Sequence, residues 1–441
     1  MATLAQSLTP ESAVREAPIV RQRLMSVDAL RGFDMFWILG ADSLVAALHR
    51  MSQTGPTRVL ATQLEHAEWA GFHFYDLIFP LFIFIAGVSL VFSLTKTIEQ
   101  AGRAEALKRV FRRGILLFLI GIFYSGGFSH PWPDMRLMGV LNRIALAYLF
   151  AGLLFCFFKP RALVAICAGI LLGYWALLTL VPIRDIQLTK TNIARLAREA
   201  GDLETATYFE DSSSTNASTI KNSPAWAGAQ QLYYATTKTV KAEYGPGHNL
   251  ADHTDFQYLP GKKYDVFYDP EGIWSTIPAV ATCLLGVFAG LLLKSQSVED
   301  KQKVLWLICF GVTAAAAGWL WNFQFPVVKK IWTSSFVLVA GGYSAVLLGA
   351  FFLIVDVWQR QSWCQPFVWI GMNSITIYVA KNLITGGFRT VAGRFVGGDI
   401  KAFFDNRVAA GLGDLILAFV GLALAFWLVH FLYRRKIFLR L

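Results

Sequence analysis

Long apolar runs alternate with short basic or polar connections along this chain, and ten of the runs approach the roughly 20 residues that a spanning helix requires. They fall near residues 28–49, 74–95, 110–128, 138–158, 161–182, 273–294, 303–321, 333–358, 366–386 and 411–433. The pattern predicts an all-α polytopic membrane protein of about ten transmembrane helices. One long polar interval separates spans five and six. The chain therefore divides into a tail (1–25), a first five-helix membrane segment (26–182), an external cap (183–272) and a second five-helix segment (273–441). Within the interval, TNIARLAREAGDLETATYFE and AWAGAQQLYYATTKTVKAEY have helical composition. DSSSTNASTIKNSPAW reads as a turn-rich linker, and YGPGHNLADHTDFQYLPGKKYDVFYDPEG as aromatic loop. The two halves share no evident similarity, so the repeats common in transporters are not apparent.

Composition agrees with the pattern. Hydrophobic residues make up 55% of the 441 positions and the mean hydropathy is +0.48, beyond what a soluble globular chain carries. The formal net charge of +11 would suit nucleic acid, but the basic residues lie mainly in alternate short connections and in the terminal YRRKIFLRL, where they read as orientation signals. No nucleic-acid partner is expected, and membrane lipids are the surroundings. Placing the basic set in the cytoplasm puts both termini there and residues 183–272 on the other face. The five cysteines all fall in or beside apolar runs, so no disulfide framework is expected. The first 20 residues have mixed charge and no apolar signal core, which suits a short disordered cytoplasmic tail.

Polar residues inside the apolar runs carry the functional signal, because they are costly in lipid and face protein or water. In MSVDALRGFDMFWILGADSLVAALHR, a helix turning about 100° per residue puts Asp28, Arg31, Met35 and Asp42 within roughly a 60° arc. Asp28 and Arg31 equally suit a surface ion pair, whereas Asp42, some four turns on, favours a cavity role. Asp76, Asn142, Arg143, Asn373 and Lys381 are the other intramembrane polar sites. Helix-to-helix hydrogen bonds alone account for Asn142 and Asn373, while Arg143 requires an anionic partner, for which Asp42 and Asp76 are the candidates. His66 and His73 flank the mouth of the second span, each as an interface residue or as a proton acceptor near neutral pH. His248 and His253 in HNLADH lack a ligand spacing, and no metal is expected.

The blocks RLMSVDALRGFDMFWILGAD, HAEWAGFHFYDLIFPLFIFIAGVSL, RRGILLFLIGIFY, RLMGVLNRIALAY, YDPEGIWSTIPAVATCLLGVFAG, KKIWTSSFVL and GMNSITIYV together resemble the heparan-alpha-glucosaminide N-acetyltransferase family and its bacterial relatives. The resemblance implies a transmembrane acetyltransferase in which cytoplasmic acetyl-CoA supplies an acetyl group to a glucosamine amine on the opposite face. It carries the catalytic histidine onto His66, as general base or acetyl acceptor, and a first-span partner onto Asp42, where the lysosomal enzyme has asparagine. Arg31, Arg112 and Arg113 then become candidates for the CoA phosphates, although anchoring at the interface explains Arg112 and Arg113 equally. Asn142, Arg143 and Asn373 are the candidate acetyl-CoA contacts, with the asparagines as donors to the developing oxyanion. Asp76, Trp332, Ser334, Ser335 and Lys381 complete the candidate sugar side. The implied acceptor is glucosamine or a related amino sugar, and the implied setting is a bacterial inner membrane with both termini cytoplasmic. Homo-oligomerisation is left open. The rival from the residues alone is an amino-sugar or ion transporter, and a third reading is an assembly protein whose buried charges pair helices.

Overall fold

The structure is a computed structural model describing residues 24–52, 54–129, 131–211, 223–383 and 387–439. Most of the expected tail and most of the DSSSTNASTIKNSPAW linker lie outside these residues. The chain opens with α1 (Met25–Phe36), a π-turn over Trp37–Ala41, α2 (Asp42–Met51) and α3 (Gly55–Gln63). Then come α4 (Phe74–Tyr124), α5 (Val140–Phe157) and α6 (Pro160–Leu180). The polar interval holds α7 (Lys190–Glu199), α8 (Leu203–Glu210), α9 (Pro224–Ala235) and α10 (Leu250–Tyr258), with a short antiparallel ribbon of Ile183–Arg184 on Thr239–Val240. The second half contains α11 (Thr276–Lys294), α12 (Asp300–Trp321), α13 (Ser334–Phe351), α14 (Gln365–Met372), α15 (Ser374–Leu383), α16 (Gly387–Val396), α17 (Asp399–Arg407) and α18 (Leu412–Arg434).

Among the described residues, seven helices are long and apolar enough to cross a membrane: α4, α5, α6, α11, α12, α13 with its continuation to Val357, and α18. The protein is therefore a mostly helical, multi-pass membrane protein. The 51 residues of α4 would reach about 75 Å if straight, more than twice a hydrocarbon core. Gly102 breaks it with φ 82° and ψ 173°, a backbone conformation favouring glycine. The arms fold back on each other, since Leu90 and Val110, twenty residues apart in sequence, both approach Gly152 of α5. These arms correspond to the expected second and third spans.

The expected first and ninth spans are each interrupted. In the first, Gly40 (φ 127°) interrupts the helix between α1 and α2. In the ninth, Asn373 separates α14 from α15. The arc drawn for an unbroken helix therefore does not extend to Asp42, because the π-turn and Gly40 change the angular register after Phe36. Phe33 and Phe36 of α1 pack edge-on against Phe367 of α14, at 5.8 Å between ring centroids in both pairs.

The bundle core requires close helix contact at Gly87 of α4, where an added Cβ would sit 2.0 Å from the Cys283 carbonyl oxygen of α11. Gly87→Ala is expected to lower the thermal midpoint in detergent, by an overpacking cost of about 1–3 kcal/mol. Gly169→Ala on α6, where nothing lies within 4 Å, should leave the midpoint unchanged or raise it.

Residues of the interval bury their own apolar cluster, including Ile186, Ile193, Phe209, Trp226, Phe256 and Phe267. The stretch read as aromatic loop contains α10, whose N-terminus is capped by the Asn249 side chain accepting from the Asp252 N–H. That asparagine was hidden by the Gly-Pro-Gly punctuation just before it. Burial raises the Asp252 and Asp255 carboxyls, the latter to about 7, and holds the His253 imidazole down at about 4. The Asp255 contribution to stability is full below about pH 4 and is lost as pH rises through about 7, with Asp252 acting in the same sense. His253 contributes above about pH 6.5 and loses that contribution as pH falls through about 4, opposing one of the two carboxyls. The thermal midpoint should thus fall between about pH 5 and pH 7.5, and Asp255→Asn should make the fall shallower in a pH series of melting curves.

Candidate functional site

The segment between α3 and α4 is folded by one buried carboxylate. Asp76, in the first turn of α4 and only 1% exposed, accepts from the Ala67 and His73 N–H groups at 3.1 and 3.0 Å through Oδ2. Its Oδ1 lies 2.8 Å from His66 Nδ1 and 3.2 Å from Lys329 Nζ. On the His73 side this is the carboxylate half of a capping box, while the His73 imidazole Nδ1 lies 3.1 Å from the Glu65 carbonyl. A second strand of chain braces the segment from outside, with Gly71 N–H donating to the Val327 carbonyl at 2.9 Å and Ala70 bridging to Val328. His66 is consequently held by its Nδ1 edge, and its half-exposed ring faces a cavity of about 380 Å³.

The cavity lies between the bundle and the interval. Met35 of α1, Ile38 of the following π-turn, Tyr75 and Phe79 of α4, and Trp332 supply apolar walls, with Trp69, Tyr264 and Tyr378 adding further rings. Charged groups converge on one side. Arg136 makes a paired contact to Asp269 at 2.9 and 2.8 Å and reaches Glu271 at 2.8 Å. Lys330 pairs with Asp265 at 2.8 Å. Burial would lower the Arg136 guanidinium, yet Asp269 and Glu271 hold it above its ordinary range. Burial, reinforced by the Asp269 charge, raises the Glu271 carboxyl. Burial also draws the Lys329 ammonium below the usual lysine range against the pull of Asp76.

Several expected partners are rearranged. Arg143 pairs with neither Asp42 nor Asp76. Its guanidinium donates to the Pro270 carbonyl and to Ser275 Oγ and lies over the Trp332 ring, 4.7 Å from the centroid. Carbonyl and π-face contacts thus take the place of a direct ion pair, with the Glu271 and Asp269 charges acting on it from nearby, and its Nε, buried and without a hydrogen-bond partner, belongs to a side chain that lines the cavity. Asp42 is one residue removed from His66: it accepts from Ser43 N–H at 2.8 Å and from Tyr75 O–H at 3.4 Å, and the Tyr75 ring is 4.9 Å from the imidazole. Lys381 donates to the Ile38 carbonyl, behind the cavity wall.

Other expected residues serve the packing. Asn142 donates to the Phe118 carbonyl at 2.9 Å and Asn373 to the Trp369 carbonyl at 3.3 Å, and neither lines the cavity. Ser334 and Ser335 are fully buried, with their hydroxyls donating to the Leu171 and Pro326 carbonyls at 2.7 and 3.0 Å, so they do not reach it. Trp332 does line it, with its indole N–H on Thr282 Oγ1 at 3.1 Å. Arg31 bonds Asp28 at 3.3 Å and also reaches Ser89 Oγ on α4, one turn before the cavity-lining Met35. Arg113 lies over the Tyr148 ring, 4.6 Å from its centroid, while Arg112 is exposed. Lys329, Arg136, Glu271 and Tyr75 were not anticipated. A signal existed for the first two: they sit in connections between spans on the side opposite the main basic set, where orientation signals do not account for cations.

Residues 23–196 match the family model described as heparan-alpha-glucosaminide N-acetyltransferase, catalytic. The chain is similar to the heparan-alpha-glucosaminide N-acetyltransferase of Mus musculus, 26% identical over 359 residues, covering 74% of this chain and 50% of the relative. It is 25% identical over 362 residues to the Homo sapiens protein of the same name, covering 74% and 49% respectively. The chain thus spans about half the length of the curated relatives it matches. His66, Asp76, Arg136 and Arg143 fall within the matched catalytic region, whereas Glu271, Lys329 and Trp332 come from beyond it.

Proposed function

We propose, from the similarity to the heparan-alpha-glucosaminide N-acetyltransferases, that this chain transfers an acetyl group from acetyl-CoA to the amine of glucosamine or a related amino sugar. One observation carries the chemistry: His66 has its Nδ1 edge on the buried Asp76 carboxylate, which leaves Nε2 for the cavity. A base so oriented takes the amine proton as nitrogen attacks the thioester carbon. The N–C bond forms, the C–S bond breaks, and the proton passes from Nε2 to the departing thiolate. The oxyanion of the tetrahedral intermediate needs a donor; Arg143 Nε, buried without a partner, replaces Asn142 and Asn373 in that role. Trp69 and Tyr264 on the walls offer flat apolar faces of the kind a sugar ring packs on, whereas the Trp332 ring is already covered by Arg143, Phe79 and Phe336.

Acetyl-CoA would arrive from the opposite end of the bundle, near Arg31 and Arg113, with the interval as a periplasmic cap and the interrupted spans completing ten crossings of a bacterial inner membrane. Arg31 then contacts a CoA phosphate. Purified protein given labelled acetyl-CoA and glucosamine is expected to yield N-acetylglucosamine. Uptake of unmodified sugar into sealed vesicles, without acetylated product, would overturn the reading in favour of a transporter. Label retained on the protein without acceptor, and lost in His66→Ala, would replace direct transfer with an acetyl-histidine route.

A further inference from the structure

Lys329 lies in the connection between α12 and α13, pinned to the His66 segment by the Val327 and Val328 contacts described above. Its Nζ is 3.0 Å from His66 Nδ1 and 3.2 Å from Asp76 Oδ1. His66 Nδ1 is itself 2.8 Å from that same oxygen. These three atoms cannot all be satisfied at once. If Nδ1–H donates to Asp76, Nε2 is left as an acceptor, and the ammonium contributes only through the shared oxygen. If Nδ1 instead accepts from Lys329, the imidazole proton moves to Nε2, which no longer accepts. An imidazolium would set two cations 3.0 Å apart.

We propose that Lys329 is a positioning residue whose cation disfavours the imidazolium form of His66, while Asp76, by accepting Nδ1–H, selects the tautomer whose Nε2 faces the acceptor amine. The assignment of Nε2 to an amine rests on the acetyltransferase reading, whereas the effect on protonation rests on the three contacts. Glu271 and Arg143 also act on Lys329 and carry opposite signs, so Asp76 is its main charged neighbour, with the imidazole in direct contact. Burial draws the ammonium below its ordinary range, and Asp76 is what holds the charge in place. Once Nε2 has taken the amine proton, the adjacent cation disfavours the imidazolium and promotes release of that proton to the thiolate, which restores the neutral ring.

Diethyl pyrocarbonate acylates neutral imidazole, so the pH midpoint of His66 modification, read by peptide mass spectrometry on the purified full chain without substrate, reports its protonation. Lys329→Met is expected to raise that midpoint by about one pH unit or more, as removal of a like charge at this range does. Lys329→Arg, which keeps the charge, should hold it near the wild-type value. Lys329→Gln is a second neutral variant with a donor for Asp76 and should follow the methionine variant. The acidic limb of kcat/KM for acetyl transfer should move with the midpoint. A midpoint unchanged in folded Lys329→Met or Lys329→Gln overturns the proposal, whatever the activity. A midpoint that moves in a protein that makes no acetylated sugar upholds the protonation role and overturns the acetyltransferase reading instead.

Discussion

His66→Ala is expected to reduce acetyl transfer to glucosamine by about 10²–10⁴-fold, the range contributed by a positioned general base, with little loss of folding stability. The asymmetry follows from what the side chain touches. His66 sets its Nδ1 edge on Asp76, but its ring is half exposed to the cavity, so truncation removes little packing. Asp76 keeps the Ala67 and His73 N–H groups and Lys329 as partners, so no buried charge is orphaned. Acetyl-CoA binding, measured by displacement of a labelled analogue, should stay close to wild type because the phosphate contact proposed at Arg31 sits beside Ser89, well along α4 from the Asp76 that holds His66. A variant that turns over at near-normal rate would remove His66 from the chemistry. One that loses CoA binding together with turnover would assign it a structural role.

How much of this was legible in the sequence depended on how local each signal is. Spans with unbroken apolar runs were legible because length and hydropathy are properties of the segment itself. The fold-back at Gly102 was legible too, since its flanks are charged and the apolar run stops there. The break at Gly40 was not, because a glycine in an apolar run is common in membrane helices and only packing against α14 and α18 decides whether the backbone leaves the helix. Asp42 looked central because an ideal helix aligned it with Arg31 and Met35. Asp76 looked secondary because the four donors that converge on it come from residues 66, 67, 73 and 329, three of them in irregular chain and one from the other half of the protein. Seryl and asparagine side chains at 142, 334, 335 and 373 suggested ligands, but interior carbonyls claimed their donors. In a bundle that offers little water, a nearby carbonyl is the more common destination for a polar side chain.

The comparison between the two carboxylates gives the second large effect. Asp76→Asn preserves shape but replaces one oxygen with an NH₂ group. The Ala67 and His73 N–H groups can only donate, so the amide must turn its oxygen to them and its nitrogen toward His66. That nitrogen donates to Nδ1, the imidazole proton moves to Nε2, and the ring presents a donor to the cavity in place of an acceptor. The equivalent tautomer error in a serine-protease triad costs about 10⁴ in kcat, and a loss of about 10³-fold or more in kcat/KM is expected here, with the His66 segment still capped. Asp76→Ala should be worse in a different way, since it strands two N–H groups in addition to the Lys329 charge, which either variant leaves without its carboxylate; leaving one member of a buried pair unmatched costs about 3–5 kcal/mol, enough to lower the thermal midpoint clearly. Asp42→Asn, by contrast, keeps an oxygen for Tyr75 O–H and touches no titrating nitrogen, so turnover should stay within about tenfold of wild type, since one neutral hydrogen bond replaces one to a charged group. Measuring kcat/KM and melting midpoints for all three variants in one detergent separates the roles. Equal losses in Asp42→Asn and Asp76→Asn would mean that Tyr75 transmits the Asp42 charge to the imidazole, and the orientation of His66 would then belong to the longer path through the first span and not to the carboxylate at the head of the second.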